Sequence, residues 1–305
     1  MVAESDTVNI YDNYIHAEGT LSGCCDATDG VFARDVARLR IQGNVIAFGE
    51  ANIEVQRSTI VTVKGNFLLN PRNDQSRGQQ FQCYDKCQTV RVEDNYTLAS
   101  QNPNYTYPAN QEDAINVIGG PSGPTSDVIV QNNYIQGGFS DAGCGVIADF
   151  SVVDVQFLNN ILVDTGQCGI GIAAGLNVRV DHNKILNRTF VNGGGNTAMY
   201  VWKQYHEDQC DQIAVTNNTV YGIKPGGSIS SWWNGGGCTN VAFKANALDR
   251  AAYAALTPPQ TKIPPPVIPP LPFQCAVPSP WTNSPNVCAK SDNISSQAPT
   301  GLAPY

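Results

Sequence analysis

The stretch Val8-Asn9-Ile10-Tyr11-Asp12-Asn13-Tyr14-Ile15 decides how this chain is read. Apolar residues alternate with others, an Asn follows, and another apolar residue stands two places on. The same order returns with its first apolar residue at Leu39, Val61, Val90, Val128, Val155, Val178, Ile213 and Val241. Five residues after each stands an Asn: Asn44, Asn66, Asn95, Asn133, Asn160, Asn183, Asn218 and Asn246. Successive repeats begin 22 to 38 residues apart. A constant core with variable spacers marks a solenoid, in which each repeat is one coil and the extra residues form loops. Alternation at period two makes the segments strands. Two short strands meeting at an Asn imply that the Asn turns the corner. Asn tolerates left-handed backbone, and its amide can reach the Asn of the next coil about 4.8 Å away. Stacked amides then satisfy buried polar groups, at roughly 1 kcal/mol net per hydrogen bond.

Composition agrees with this reading and excludes others. Charged residues make up 14% of the 305, against roughly 25% in ordinary globular chains. Asn occurs 29 times and Gly 28 times, which suits a helical bundle poorly. Eighteen Lys and Arg against 26 Asp and Glu leave a net charge of −8, and phosphate backbones need clustered cations, so nucleic acid is not the expected partner. No apolar run reaches the roughly 18 residues of a membrane span. Ten cysteines without a C-x-x-C pair point to disulfides and an oxidising setting: extracellular, periplasmic or cell surface. Met1-Val2-Ala3-Glu4-Ser5-Asp6 shows neither a basic nor an apolar leader, so a removed signal or an excised piece is expected. Five Asn-x-Ser/Thr sequons occur, at Asn95, Asn104, Asn187, Asn217 and Asn293.

The nine Asn-centred repeats resemble the right-handed parallel β-helix of the pectate-lyase-like superfamily, whose coils carry similar Asn stacks. The resemblance covers about Val8 to Leu248. It implies an all-β solenoid of about nine coils and a carbohydrate-handling protein, since polysaccharide lyases, polygalacturonase-like hydrolases, epimerases and phage tailspikes share the scaffold.

Aligning the coils predicts disulfides. Cys210 and Cys238 each stand three residues before the first apolar position of adjacent coils. Cys144 and Cys168 each open the strand that precedes the pattern, as Cys144-Gly145-Val146 and Cys168-Gly169-Ile170. Stacked positions near 5 Å apart suit a disulfide, and loops of about 25 residues are worth roughly 3 kcal/mol each. Cys83 with Cys87 and Cys275 with Cys288 are further expected pairs; Cys24 and Cys25 stay unassigned.

The solenoid is expected to fill residues 1–248. Residues 249–256 read as a short capping helix, and 257–305 as a disulfide-containing tail with eight prolines between Thr257 and Phe273. A first coil starting at Val8 leaves no room for an N-terminal cap, so upstream sequence, a neighbouring domain or another chain is expected to cover that end.

Function in such folds sits on the sheet formed by the upstream strand of each coil. Alignment on the two Cys-Gly pairs turns Ile53, Phe81, Ile115, Val146, Ile170, Met199 and Ile229 inward. One outward column is then Glu54, Gln82, Asn116, Ile147, Gly171, Tyr200 and Ser230. The next is Gln56, Tyr84, Ile118, Asp149, Ala173, Trp202 and Trp232. Amides, Tyr and Trp on a flat rigid face meet what sugars need, ring stacking plus planar hydrogen bonding. The candidate substrate-binding residues are therefore Asn116, Asp149, Tyr200, Trp202, Trp232, Tyr84 and Gln82.

Glu112-Asp113-Ala114-Ile115-Asn116 is similar to the Asp-Asp-x-Ile motif of polygalacturonase-like hydrolases, with Asp113 retained and Glu112 in the first acidic place. An inverting pair needs carboxyl groups roughly 6.5–9.5 Å apart. Asp141, in the loop opening the next coil, is expected within that range of Asp113, and Asp149, about four residues along the strand, beyond it. The Gly-His-Gly segment of those hydrolases falls near Gly166-Gln167-Cys168-Gly169, where the His is missing. A lyase instead needs a base, commonly Lys or Arg, and cations or calcium against the uronate. Lys203 and His206 lie in one loop after Trp202 with Tyr205, Glu207 and Asp208, and His suits acid–base work near neutrality. Asp26 and Asp29 are candidate calcium ligands. There is no P-loop, dinucleotide fingerprint or zinc spacing among His16, His182 and His206. Two functional classes remain open: a polysaccharide hydrolase or lyase, and a non-catalytic module of a surface appendage, filament or phage fibre.

Overall fold

Every coil contributes three short strands, and like strands of successive coils pair. The computed structural model describes residues 2–251 apart from 17–28, 73–77, 101–110, 139, 189–195, 207, 225 and 249–250. Three parallel sheets of nine strands each run the length of the solenoid. The first coil is Val2–Ser5, Val8–Tyr11 and Tyr14–His16; the ninth is Trp232–Gly236, Thr239–Lys244 and Ala247–Leu248. We number the sheets 1, 2 and 3 in that order within a coil. The chain is an all-β parallel β-helix with a buried Asn ladder.

The strand Val2–Ser5 pairs with Val31–Val36, so the first coil starts ahead of Val8 and already has a strand in sheet 1. The chain divides into the units Met1–Tyr253 and Ala254–Tyr305. The second unit, with the predicted tail and Cys275 and Cys288, lies outside the described residues. So do Cys24, Cys25 and, Ala251 excepted, the predicted helix 249–256. Among the described residues no helix is long and apolar enough to cross a membrane.

Period-two alternation buries every second residue, as in the strands Leu39–Gln42 and Ile53–Gln56. Ile53, Phe81, Ile115, Val146, Ile170 and Met199 form the sheet 1 column, each at most 1% exposed. Leu39 through Ile213 line sheet 2, and Ile46, Leu68, Thr97, Ile135, Leu162 and Ile185 line sheet 3. Thr97 is the polar member of its column, and its buried Oγ1 has no partner among the described residues.

The Asn corner is built as expected in its hydrogen bonds and differently in its backbone. The Oδ1 of Asn44 accepts from the backbone N–H of Asn13 at 2.9 Å and from its Nδ2 at 3.1 Å. Asn44 donates in the same way to Asn66, and the chain of bonds continues to Asn246. Each ladder Nδ2 also reaches back to a carbonyl, as Asn133 does to Val92 at 2.9 Å. The left-handed residue, however, is the one before the ladder Asn: Asp12, Asp94, Asn132, Asn159, His182, Asn217 and Ala245, with Gly43 and Gly65 in two coils. Asp, Asn and Gly accept positive φ most cheaply, so the turn falls to them and the ladder Asn is left to hydrogen-bond.

The two pairs expected from coil alignment, Cys144–Cys168 and Cys210–Cys238, are joined, and so is the further expected pair Cys83–Cys87. The Cα atoms of Cys144 and Cys168 lie 4.5 Å apart and those of Cys210 and Cys238 4.6 Å, close to one strand spacing. Three disulfides fit an oxidising compartment. The sequon residues Asn95 and Asn187 are buried, and the amide of exposed Asn217 donates to Asp181.

Candidate functional site

The outer face of sheet 1 keeps the expected register from the third coil to the eighth. Glu54, Gln82, Asn116, Ile147, Gly171 and Tyr200 stand side by side. The ninth coil departs from it. Met199 pairs with Trp232, Tyr200 with Trp233 and Val201 with Asn234, and a shift then sets Trp202 beside Gly236. Trp232 thus takes the inward position predicted for Ile229 and stacks on Phe243 with ring centroids 3.9 Å apart. Ile229 pairs antiparallel with Ile223 in a small hairpin, and Ser230 is buried there, its carbonyl accepting from Ala198. The physical reason is that hairpin, which takes up three residues that coil alignment had counted into the strand. Trp233, not Trp232, therefore faces outward beside Trp202.

Asp113 precedes the strand Ile115–Val117, and Asp149 follows Cys144–Ala148 in the next coil. Asp113 is 4% exposed. Its Oδ1 accepts from the Cys144 N–H at 2.7 Å and its Oδ2 from Asn116 Nδ2 at 2.9 Å. The same Nδ2 lies 3.5 Å from Asp149 Oδ2. One amide nitrogen thus bridges two carboxyl groups. Asp149, expected to be out of range of Asp113, is its near neighbour, because Asn116 stands in register with Ile147 on the paired strand of the sixth coil and its amide reaches across to Asp149. Asp141 is exposed in the loop ahead of the Cys144–Ala148 strand and takes no part in the hydrogen bonds that join Asp113, Asn116 and Asp149.

Tyr205 completes the cluster by donating from its hydroxyl to Asp149 Oδ1 at 2.7 Å. The loop carrying it is pinned by Gln204 N–H to the Ala173 carbonyl and by the Ser151 N–H donating to Asp208. Phe150 meets Tyr205 edge-on at 5.4 Å. Beneath lies a small apolar cluster, separate from the main core, of Cys144, Cys168, Ile147, Ala173 and Tyr200, with Tyr205 packed against it.

That surround explains the charge states. Burial pushes Asp113 up to about 8; the Cys144 N–H opposes the rise and the nearby Glu112 charge adds to it. Burial likewise lifts Asp149 above the usual carboxylate range, against the Tyr205 and Asn116 hydrogen bonds. Tyr200 and Tyr205 are pushed up by burial as well, so both are phenols near neutrality. Asn116 is 4% exposed, and none of the described residues donates to its Oδ1.

The remaining candidates make no hydrogen bond to Asp113 or Asp149 among the described residues. Glu112 is half-buried, its N–H donating to Gly78. Gln82 and Tyr84 sit one coil earlier, Gln82 in register with Asn116. Lys203 is half-buried after Trp202, its backbone tied to Gly236, and His206 is exposed. Neither hydrogen-bonds Asp113 or Asp149. Of the calcium candidates, Asp26 lies outside the described residues; Asp29 accepts from the Ala51 N–H, and burial pushes it up to about 6. No group of metal-holding side chains occurs among the described residues.

Two features escaped sequence reasoning. The Tyr205–Asp149 bond spans 56 residues and depends on how a loop folds back. The outward place of Trp233 depends on the hairpin; the Pro225-Gly226-Gly227 turn ahead of it was the available signal. No known protein family, curated protein or solved structure matches this chain.

Proposed function

We propose that this chain is a polysaccharide-directed β-helix protein of an extracellular, periplasmic or cell-surface setting, and that it hydrolyses glycosidic bonds on the outer face of sheet 1. The observation that supports this most is the Asp113–Asn116–Asp149 bridge, two carboxyl groups lifted toward neutrality on an outward strand face. Asp149 is the half-exposed member and so the catalytic residue. Its carboxyl gives a proton to the glycosidic oxygen as the bond to the anomeric carbon breaks. Water then adds to that carbon and returns a proton to Asp149, which closes the cycle. Asp113, buried behind it, is a positioning residue: neutral up to about pH 8, it spares Asp149 a second negative charge. Asn116 and Tyr205 hold the Asp149 carboxyl, and Tyr200, Trp202, Gln82 and Tyr84 flank a glycan lying on the sheet. Hydrolysis is preferred to elimination because neither Lys203 nor His206 reaches the acids.

One observation favours the non-catalytic module instead. Both Asp113 oxygens are engaged by Cys144 and Asn116, as in an acid that only fastens neighbouring coils. Incubation with neutral and acidic polysaccharides, following reducing ends and unsaturated products, separates the readings. Hydrolysis gives reducing ends without unsaturation. Asp149→Asn lowers the rate at least about a hundredfold, and Asp113→Asn folds and shifts the alkaline limb of the rate profile. Unsaturated product that disappears in Lys203→Ala means a lyase. Absence of product from every glycan leaves the structural module.

A further inference from the structure

In the fifth to ninth coils the outward side chains of sheet 1 include Asn116, Ile147, Asp149, Tyr200, Trp202 and Trp233, with no Lys or Arg between them. Glu112 and Asp113 add acid at the strand edge, and Lys203 is the cation that follows Trp202. A polyanionic chain laid here would meet Glu112, Asp113 and Asp149 with Lys203 as the one cation beside the two Trp among the described residues of this face.

The aromatic rings, by contrast, have been given room. A Cβ at Gly171 would stand 2.7 Å from the Tyr200 ring, and one at Gly235 would stand 2.5 Å from the Trp202 indole. Each ring therefore lies across a neighbouring coil at the point where that coil lacks a side chain. Trp202 and Trp233 have ring centroids 5.6 Å apart, and Tyr200 and Trp233 6.1 Å. The two indoles are 37% and 46% exposed, unusually open for so much apolar surface, and apolar faces of this kind are places of recognition. In the column of outward positions Asp149 is followed by Ala173 and then Trp202, two strand spacings or about 9.6 Å along the solenoid axis. A short stretch of glycan bridges that distance.

We infer that the ligand of this face is an uncharged polysaccharide lying along the solenoid axis, with a sugar ring stacked on the Trp202–Trp233 platform while its neighbour toward the sixth coil meets Asp149. This rests on the hydrolase reading for the role of Asp149, and on charge and aromatic placement for the choice of glycan. Uncharged sugars offer an apolar ring face to the indoles and hydroxyls to Asp149, and bring no charge to an acidic surface.

The test is affinity electrophoresis of the full chain carrying Asp149→Asn through gels containing xylan, mixed-linkage glucan, galactomannan or polygalacturonate. Retardation is expected in at least one neutral gel and not in polygalacturonate. Adding Trp202→Ala or Trp233→Ala should weaken it roughly tenfold, about 1.4 kcal/mol, with Trp202→Phe retaining part of the affinity and showing that loss of fold is not the cause. Retardation in polygalacturonate alone, in no gel at all, or in a neutral gel regardless of both Trp substitutions overturns the inference. The hydrolase reading fails separately: wild-type protein that binds a neutral glycan through the two Trp and releases no reducing ends leaves the platform standing and removes the catalysis.

Discussion

The Asn corner and the outer face of sheet 1 are made by the same coils, yet one repeats without variation and the other changes at nearly every step. At the corner each Asn is both donor and acceptor to its neighbours, so every coil depends on the next having the same residue. Asn44 through Asn218 are at most 2% exposed, and no other side chain offers an acceptor and two donors at that reach. On the outer face the column Glu54, Gln82, Asn116, Ile147, Gly171, Tyr200 and Trp233 shows no such rule. Buried Asn116 ties Asp113 to Asp149 of the next coil, while Gln82 and Trp233 make no such bond among the described residues and are left free to serve a ligand. Stability is concentrated where the coils agree, and chemistry is available where they differ.

The sharpest way to break that comparison is to remove one rung. Asn133→Ala takes the acceptor from the Asn95 N–H and Nδ2 and the donor from the Val92 carbonyl, all inside the solenoid. Each buried group left unpaired costs about 1–3 kcal/mol, so a loss of about 3–5 kcal/mol is expected in chemical denaturation. Its neighbour Asn132, which supplies only the positive φ, should cost about 1 kcal/mol on replacement by Ala. Gln82→Ala on the outer face should stay within about 0.5 kcal/mol. Equal losses at Asn132 and Asn133 would mean that backbone geometry, not the amide ladder, holds the corner.

A pH-dependent effect is expected at Asp113, where the outer face does touch stability. Its folded pKa of about 8 lies above the ordinary carboxylate value of 3.8. Between those values the folded state holds a proton that the unfolded chain has released. Stability contributed by this group is therefore complete below about pH 4 and drains away as pH rises toward 8, at no more than about 1.4 kcal/mol per pH unit. Asp113→Asn should flatten the decline of stability across that window. An unchanged slope would show that Asp113 titrates as it does in the unfolded chain, and that its burial is not what sets its charge.

Nearly all of the architecture was legible because the ladder requirement prints itself on the sequence. Asn recurs where its amide must meet another, and no local substitute satisfies both neighbours. Cys210 and Cys238 were legible for the same reason, since equivalent coil positions stack. The strand Val2–Ser5 was missed because it precedes the first Asn pattern and the alignment had nothing to hold it to. The site was only half legible. Asp113 could be picked from its place beside a strand, but Asp149 was set aside by counting residues along one strand when the bridging Asn116 acts across two. Trp232 and Trp233 exchanged faces because the Ile223–Ile229 hairpin takes up residues that a fixed register assigns to the strand. Loops and hairpins carry no periodicity, so their effect on the face they border cannot be counted out in advance.

The ladder also has a negative image in sheet 3, where the expected effect has the opposite sign. Thr97 stands between Leu68 and Ile135 in an otherwise apolar inward column, 1% exposed. Unlike the ladder amides, its hydroxyl has no partner among the described residues. A buried hydroxyl without a hydrogen bond costs about 1–3 kcal/mol, while a ladder Asn of equal burial costs nothing because its neighbours satisfy it. Thr97→Val keeps the β-branched shape that strands favour and replaces the hydroxyl by a methyl group. The variant should gain about 1 kcal/mol in urea denaturation, with the slope of the transition unchanged. A loss instead would mean that the Thr97 hydroxyl is hydrogen-bonded after all, and that polar atoms inside this solenoid are tolerated only when paired, in sheet 3 as at the Asn corner.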